Sequence, residues 1–354
     1  MMSEKIFLLL TSIFALTNCQ SRDPEIRAVC SRQDIGNYVI KWETDPPMAG
    51  TVKIYVSDNP DTFDRTRPVL YANISDNITT YITPDNMTRQ YFLLSFNDKY
   101  TRVVSSRRDA MDQIRNFRDI GGYNTTDHHM VRWGRVYRSG DLFRMSERDS
   151  LRLAKLGIRT ILDLRTKEEA AENPVSYTNA RILSLPVSNG NLEEITQRLK
   201  EGRIRKGDGV LFMQDLYLQY VTDNTASFSE AFRILLDPEN YPLLISSTFG
   251  KDKAGFLTAL IQATLQVPED VIYSDYSLSQ DWYADHTRRM RGFARTLNPD
   301  AQEALTVMLQ TNEAYLDLAF RKIKKEYGSV DKYLIKELNL TEKDLSKLKE
   351  LLLL

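Results

Sequence analysis

Cysteine is nearly absent: Cys19 and Cys30 are the only two in 354 residues. Two thiols so close to one end give no basis for a disulfide framework. They also leave everything after residue 30 without a thiolate nucleophile. Histidine is almost as scarce, with His128, His129 and His286. His128-His129 follows Asp127 in a polar turn and reads as a solvated loop. No His/Cys/acid cluster has metal-ligand spacing, so no metal or other cofactor is expected. A surplus of either charge is missing too: 47 basic and 48 acidic side chains give a formal net charge of −1. Such a balance gives no reason to expect a nucleic-acid partner. Repeats and low-complexity tracts are lacking, and no apolar run reaches the roughly 20 residues that span a bilayer.

One shorter apolar run is present. Lys5 gives a basic start, and Ile6 to Leu16 is an apolar core of signal-peptide length. Leu16-Thr-Asn-Cys19 follows and resembles a bacterial lipoprotein signal, although Asn18 departs from the usual small residue. The resemblance implies a signal peptide over 1–18, a lipid on Cys19 and a polar tether over 19–25. It implies an exported protein anchored to the membrane of the bacterial cell envelope. A plain secretory signal or a frayed apolar N-terminus is the alternative. If Cys19 carries lipid, Cys30 has no partner and reads as a small buried hydrophobe in a first strand.

Residues 26–105 carry short alternating runs. Tyr38, Ile40 and Trp42 share one face of 38–43; further strands are expected at 51–57, 79–83, 90–96 and 101–105. Asp45-Pro-Pro, Asp58-Asn-Pro and Asn97-Asp mark turns between them. This pattern predicts a small antiparallel β-sandwich. It resembles a fibronectin type III module with Trp42 at its centre. It carries no chemistry of its own and serves as a spacer or as a surface for a protein partner.

The chemistry gathers around Leu244-Ile-Ser-Ser-Thr-Phe-Gly-Lys-Asp-Lys-Ala-Gly255. An apolar strand precedes it and an apolar helix comes after it. A tight loop entering a helix N-terminus presents unpaired N–H groups and a positive dipole end to an anion. Lys251 and Lys253 sit on the same loop.

This stretch resembles the phosphate loop of bacterial tyrosine phosphatases that also accept phosphoserine and phosphoinositides, His-Cys-x-x-Gly-Lys-Asp-Arg-Thr-Gly. Asn116-Phe-Arg-Asp-Ile-Gly-Gly-Tyr123, Trp133-Gly-Arg-Val-Tyr-Arg-Ser-Gly-Asp-Leu142 and Asp275-Tyr-Ser-Leu-Ser-Gln280 resemble other motifs of that family. The likeness runs over residues 109–354. It implies an α/β cysteine-phosphatase-like domain, a central sheet flanked by helices, with residues 190–220 covering the site. It implies a phosphate loop of Ser247, Thr248, Phe249, Gly250, Lys251, Asp252 and Lys253.

Gly250, Lys251, Asp252 and Gly255 match the family pattern. Ser247 stands at the nucleophile position, Asp252 at the general-acid position and Lys253 at the arginine position. A serine hydroxyl needs an adjacent base to attack, and His286, the nearest histidine in sequence, is a weak candidate. A lysine is a point charge without the planar fork of arginine. Arg138 is an accessory candidate near the phosphate. Arg165 either helps bind phosphate or pairs on the surface with Glu168 or Glu169. Asp119 and Arg118 are expected to tie down the Gly121-Gly122 turn.

The leading expectation is a pseudophosphatase that holds a phosphorylated or other anionic ligand. The alternatives are an active phosphoprotein or phosphoinositide phosphatase with an unusual loop, and a structural or adhesive envelope protein. The Phe249 ring bears on the choice, because filling the cradle would exclude an anion.

Overall fold

The computed structural model describes residues 23–33 and 36–354. The apolar start at 1–18 and Cys19 lie outside the described residues. Seven strands come first: β1 (Glu25–Arg32), β2 (Tyr38–Asp45), β3 (Thr51–Ser57), β4 (Leu70–Asn73), β5 (Ile78–Tyr81), β6 (Tyr91–Phe96) and β7 (Tyr100–Ser105). They form two antiparallel sheets, ordered β1-β2-β5 and β4-β3-β6-β7. The alternation in β2 turns Tyr38, Ile40 and Trp42 inward, where they meet Val52, Ile54, Phe92 and Phe96 of the other sheet. The Trp42 indole N–H donates to the Ile74 carbonyl at 2.8 Å, so its one polar atom is satisfied inside the core. Cys30 lies on β1, against this core, and burial pushes its thiol up to about 12. Strand β4 was not expected: only Leu70 and Ala72 turn towards the core, too few for a visible period.

All six residues of β6 are buried, although an antiparallel strand with one wet face would alternate. The reason is a second cover. Tyr91 reaches the Tyr137 hydroxyl at 3.4 Å, on the next part of the chain. Beside it, Arg89 is buried and pairs with Asp119 at 2.8 Å. Arg89 also donates to the Ser105 hydroxyl at 3.1 Å and the Ser106 carbonyl at 2.9 Å. Its guanidinium lies over the rings of Tyr91, Trp133 and Tyr137. The two sheets are thus fastened to the rest of the chain through a desolvated charge pair. Arg89→Ala leaves Asp119 buried without that partner and should cost about 3–5 kcal/mol. Chemical denaturation would read this as a lower midpoint, and an unchanged midpoint would show that the pair holds nothing.

From β8 (Arg118–Asp119) and β9 (Val136–Ser139) onward the chain builds one mixed sheet with β10 (Thr160–Asp163), β11 (Arg181–Ser184) and β12 (Leu243–Ser246). Its order is β11-β10-β12-β9-β8, parallel except for the β8–β9 pair. The helices are α1 (Glu147–Lys155), α2 (Lys167–Glu172), α3 (Leu192–Lys200), α4 (Lys206–Thr222), α5 (Thr225–Leu235), α6 (Lys253–Thr264), α7 (Glu269–Ser277), α8 (Tyr283–Ala294), α9 (Pro299–Leu309), α10 (Glu313–Tyr327), α11 (Val330–Glu337) and α12 (Glu342–Leu352).

The central strands are short continuous apolar runs because both faces are covered. Tyr137, Ile161 and Leu244 pack with Leu153 of α1 on one face. Val136, Leu162, Leu243 and Ile245 face the larger core built with α4, α5, α6 and α9–α12. Ser146 caps α1 in a capping box with Asp149. Asp119 accepts from Gly121 N–H and Gly134 N–H, each at 2.7 Å, and so pins the Gly121-Gly122 turn. Arg118 takes no part in pinning it and instead runs beneath the loop, to Asp275 and Ser279.

Candidate functional site

Strand β12 ends at Ser246, in register with Ser139 of β9, and α6 begins at Lys253. Ser247–Asp252 must therefore reverse direction at the C-terminal end of this central strand. Gly250 permits this with a φ of +65°; a Cβ there would lie 2.4 Å from the Ser139 carbonyl carbon. The loop's carbonyls are gripped from below. Asn116 Nδ2 donates to the Phe249 and Gly250 carbonyls at 3.2 and 2.9 Å. The Arg138 guanidinium donates to the Gly250 and Lys251 carbonyls at 2.8 and 3.3 Å. The N–H groups of Thr248, Phe249, Lys251 and Asp252 bond to no acceptor among the described residues. Free N–H groups at the start of a twelve-residue helix form an anion cradle.

Ser247 is buried at the base of this loop, and its hydroxyl has no hydrogen-bond partner among the described residues. No base among the described residues hydrogen-bonds to it. His286 lies instead behind Phe249, their ring centroids 4.8 Å apart. The Phe249 ring packs on His286 and under the Arg289 guanidinium, so it is engaged with α8.

The two lysines separate. Lys253 is buried, with Nζ 3.2 Å from Glu169 Oε2. Burial lowers its pKa, and Glu169 works against that shift. Lys251 does not join it at the cradle. Its ammonium is buried against Asp252 at 2.7 Å and the Met308 carbonyl at 3.2 Å. Asp252 also accepts from the Tyr217 hydroxyl at 2.8 Å, and Tyr217 meets Tyr276 at 2.6 Å.

The two accessory arginines part: Arg165 lines the cleft over the loop together with Ser247 and Lys253, and Arg138 does not. Arg138 is fully buried under the loop and touches its backbone, pairing with Asp275 at 3.3 Å. Arg165 is buried too. It pairs with Asp163 at 2.7 Å and donates to the Asn173 carbonyl, so the expected surface pair with Glu168 or Glu169 is not what holds it.

Glu169 is the functional residue that sequence reasoning missed. Thr166 caps α2 in a capping box, and Glu169 Oε2 accepts from Thr166 N–H at 2.8 Å. That fixes the carboxylate above the loop, where Oε1 takes the Thr248 hydroxyl at 2.6 Å and Oε2 meets Lys253. Burial works to raise its pKa, but the Lys253 cation and the Thr248 hydrogen bond prevail and hold it below the usual carboxylate range. The signal available in sequence was Thr166-x-x-Glu169 itself. A fixed negative charge here opposes any incoming anion. Glu169→Gln should therefore bind inorganic phosphate about tenfold more tightly, a difference near 1.4 kcal/mol. Titration calorimetry on the two proteins checks this, and equal affinities would show that the carboxylate does not compete.

Over the loop lies a cleft of 320 Å³. Its walls include Phe212, Met213 and Leu216 of α4 and Met308 and Leu309 of α9. The 190–220 region thus flanks the loop and supplies apolar surface.

A parallel-sheet strand, a glycine turn with free N–H groups and a helix N-terminus make this an α/β protein with the geometry of an anion cradle. The chain belongs to the tyrosine phosphatase family, whose description matches residues 110–354. A candidate tyrosine-protein phosphatase of Cupriavidus necator is 30% identical over 239 residues, covering 65% of this chain and 84% of that protein. The triple specificity protein phosphatase PtpB of Mycobacterium tuberculosis is 26% identical over 257 residues, covering 62% and 90%. Among solved structures, the core catalytic domain of the PP-IP phosphatase Siw14 from S. cerevisiae, in complex with citrate, covers 53% of this chain and 98% of its own, with 16% identity and a TM-score of 0.27.

Proposed function

We propose that this member of the tyrosine phosphatase family is a pseudophosphatase that binds a phosphorylated or other anionic ligand without turning it over. One observation carries the reading: the loop keeps its free N–H groups, while the buried Ser247 hydroxyl at the nucleophile position is hydrogen-bonded to no base among the described residues. A thiolate starts from a pKa near 8.5 and is drawn down by a helix N-terminus, whereas a serine hydroxyl there stays protonated and inert. Lys253 at the arginine position supplies a charge but no bidentate grip. Binding is supported because a neutral hydroxyl, unlike a thiolate, does not repel a dianion.

The remaining assignments belong to the same proposal. The protein is an exported lipoprotein anchored through Cys19, with a fibronectin type III-like module over residues 26–105 as spacer or partner surface. Calorimetric titration with phosphotyrosine tests the binding claim. Micromolar-to-millimolar affinity with a raised melting temperature is expected. No heat and no thermal protection would remove it.

A further inference from the structure

A second cleft, of 510 Å³, adjoins the loop on the far side of Phe249. Thr248, Phe249, Asp141, Asn173 and Arg289 line both clefts, so the two are neighbours. Arginine dominates the second: Arg115, Arg144, Arg288 and Arg289 face two carboxylates, Asp141 and Asp285. Arg289 pairs with Asp141. Asp285 is shared by Arg288 at 2.9 Å and Arg115 at 3.6 Å. Arg144 pairs with no carboxylate among the described residues and rests its guanidinium against Phe143. Four cations against two anions leave two positive charges in excess. At the back of the cleft is His286, 3% exposed. Burial, with Lys251 nearby, pushes it down to about 4, so at neutral pH it adds no charge.

Resting on the proposed function, we infer that this arginine cleft is a second anion subsite, and that the ligand is a phosphopeptide with an acidic residue next to its phosphorylated tyrosine. The loop takes the phosphate and the arginines take the neighbouring carboxylate. The walls above the loop favour the aryl group: Phe212, Leu216 and Met308 offer apolar contact to a ring and nothing to a polyhydroxylated body. Guanidinium groups suit the second anion because each presents paired donors to a carboxylate. Arg288 is 63% exposed and Arg289 41%, so both can turn towards a ligand without unpacking the fold.

The experiment uses the whole folded chain and three peptides: phosphotyrosine flanked by alanine, phosphotyrosine flanked by aspartate, and the aspartate peptide without phosphate. Calorimetry on the native protein should show about tenfold tighter binding for the acidic phosphopeptide than for the alanine one. The double variant Arg144→Gln, Arg288→Gln should lose that gain and keep the affinity for the alanine phosphopeptide. Equal affinities in the native protein, or a gain that survives in the variant, overturn the subsite. A polyhydroxylated bisphosphate that outcompetes the acidic peptide overturns the peptide assignment. If the alanine phosphopeptide fails to bind, the cradle reading falls separately. The cleft then stands only if the acidic peptides still bind and the variant abolishes that binding.

Discussion

The double variant Ser247→Cys, Lys253→Arg should hydrolyse a phosphotyrosine peptide that the native protein leaves untouched. The gain is expected to be large because removing a nucleophile typically lowers kcat by about 10^4–10^6. The frame that would use the new groups is already in place. The loop that follows position 247 keeps free N–H groups, and α6 starts at position 253. A thiolate there would sit at a helix N-terminus, where its pKa falls. Asp252 stands next in the loop, held by Lys251 and Tyr217. Phosphate release from native and variant proteins, measured side by side, decides the matter. Turnover by the native protein would overturn the pseudophosphatase reading. Silence from both would place the block in the surroundings, with the Glu169 carboxylate, close to position 253, the first group to remove.

Asp275→Ala should be the most damaging single change beneath the site. This buried carboxylate faces two buried guanidinium groups, Arg118 and Arg138, each at 3.3 Å, and accepts from Tyr123 at 3.0 Å. Its loss leaves two cations in the interior without their counter-charge, at a cost of about 3–5 kcal/mol or more. The loop should suffer with it, because Arg138 also holds the Gly250 and Lys251 carbonyls. Loss of phosphate binding together with a lower unfolding midpoint is expected; a midpoint within error of the native one would sink the claim. The same residue sets a pH dependence. Burial works to raise its pKa, yet the two arginines hold it below the usual value. Its stabilisation is therefore full above the unfolded-state pKa, near 4, and is lost as pH falls through the lower folded value.

The parts of the site that could be read from sequence are those fixed by local geometry. Gly250 and the strand–loop–helix pattern announced the cradle because a tight reversal into a helix leaves few alternatives. Trp42 was legible through the alternation of its own strand. Partners set by distant packing were not. Arg138 meets Asp275 from far along the chain, and nothing near Arg138 distinguishes a residue under the loop from one inside it. Lys251 and Lys253 look equivalent in sequence, yet the turn between them sends one to Asp252 and the other to Glu169. The Arg165 pairing was readable and was missed. Asp163 and Arg165 stand two apart at a strand end, and the period of two puts such residues on the same side. Glu169 depended on where α2 lands, which a six-residue helix does not reveal.

Asn116 and Arg138 seize the loop by its carbonyl oxygens, groups every amino acid possesses. The shape of the cradle is therefore indifferent to the side chains at 247, 248 and 253. Those positions can exchange one chemistry for another while the architecture around them is inherited intact. A hydrolase, a receptor for the same anion and a regulated intermediate between them differ by a handful of codons on one mould.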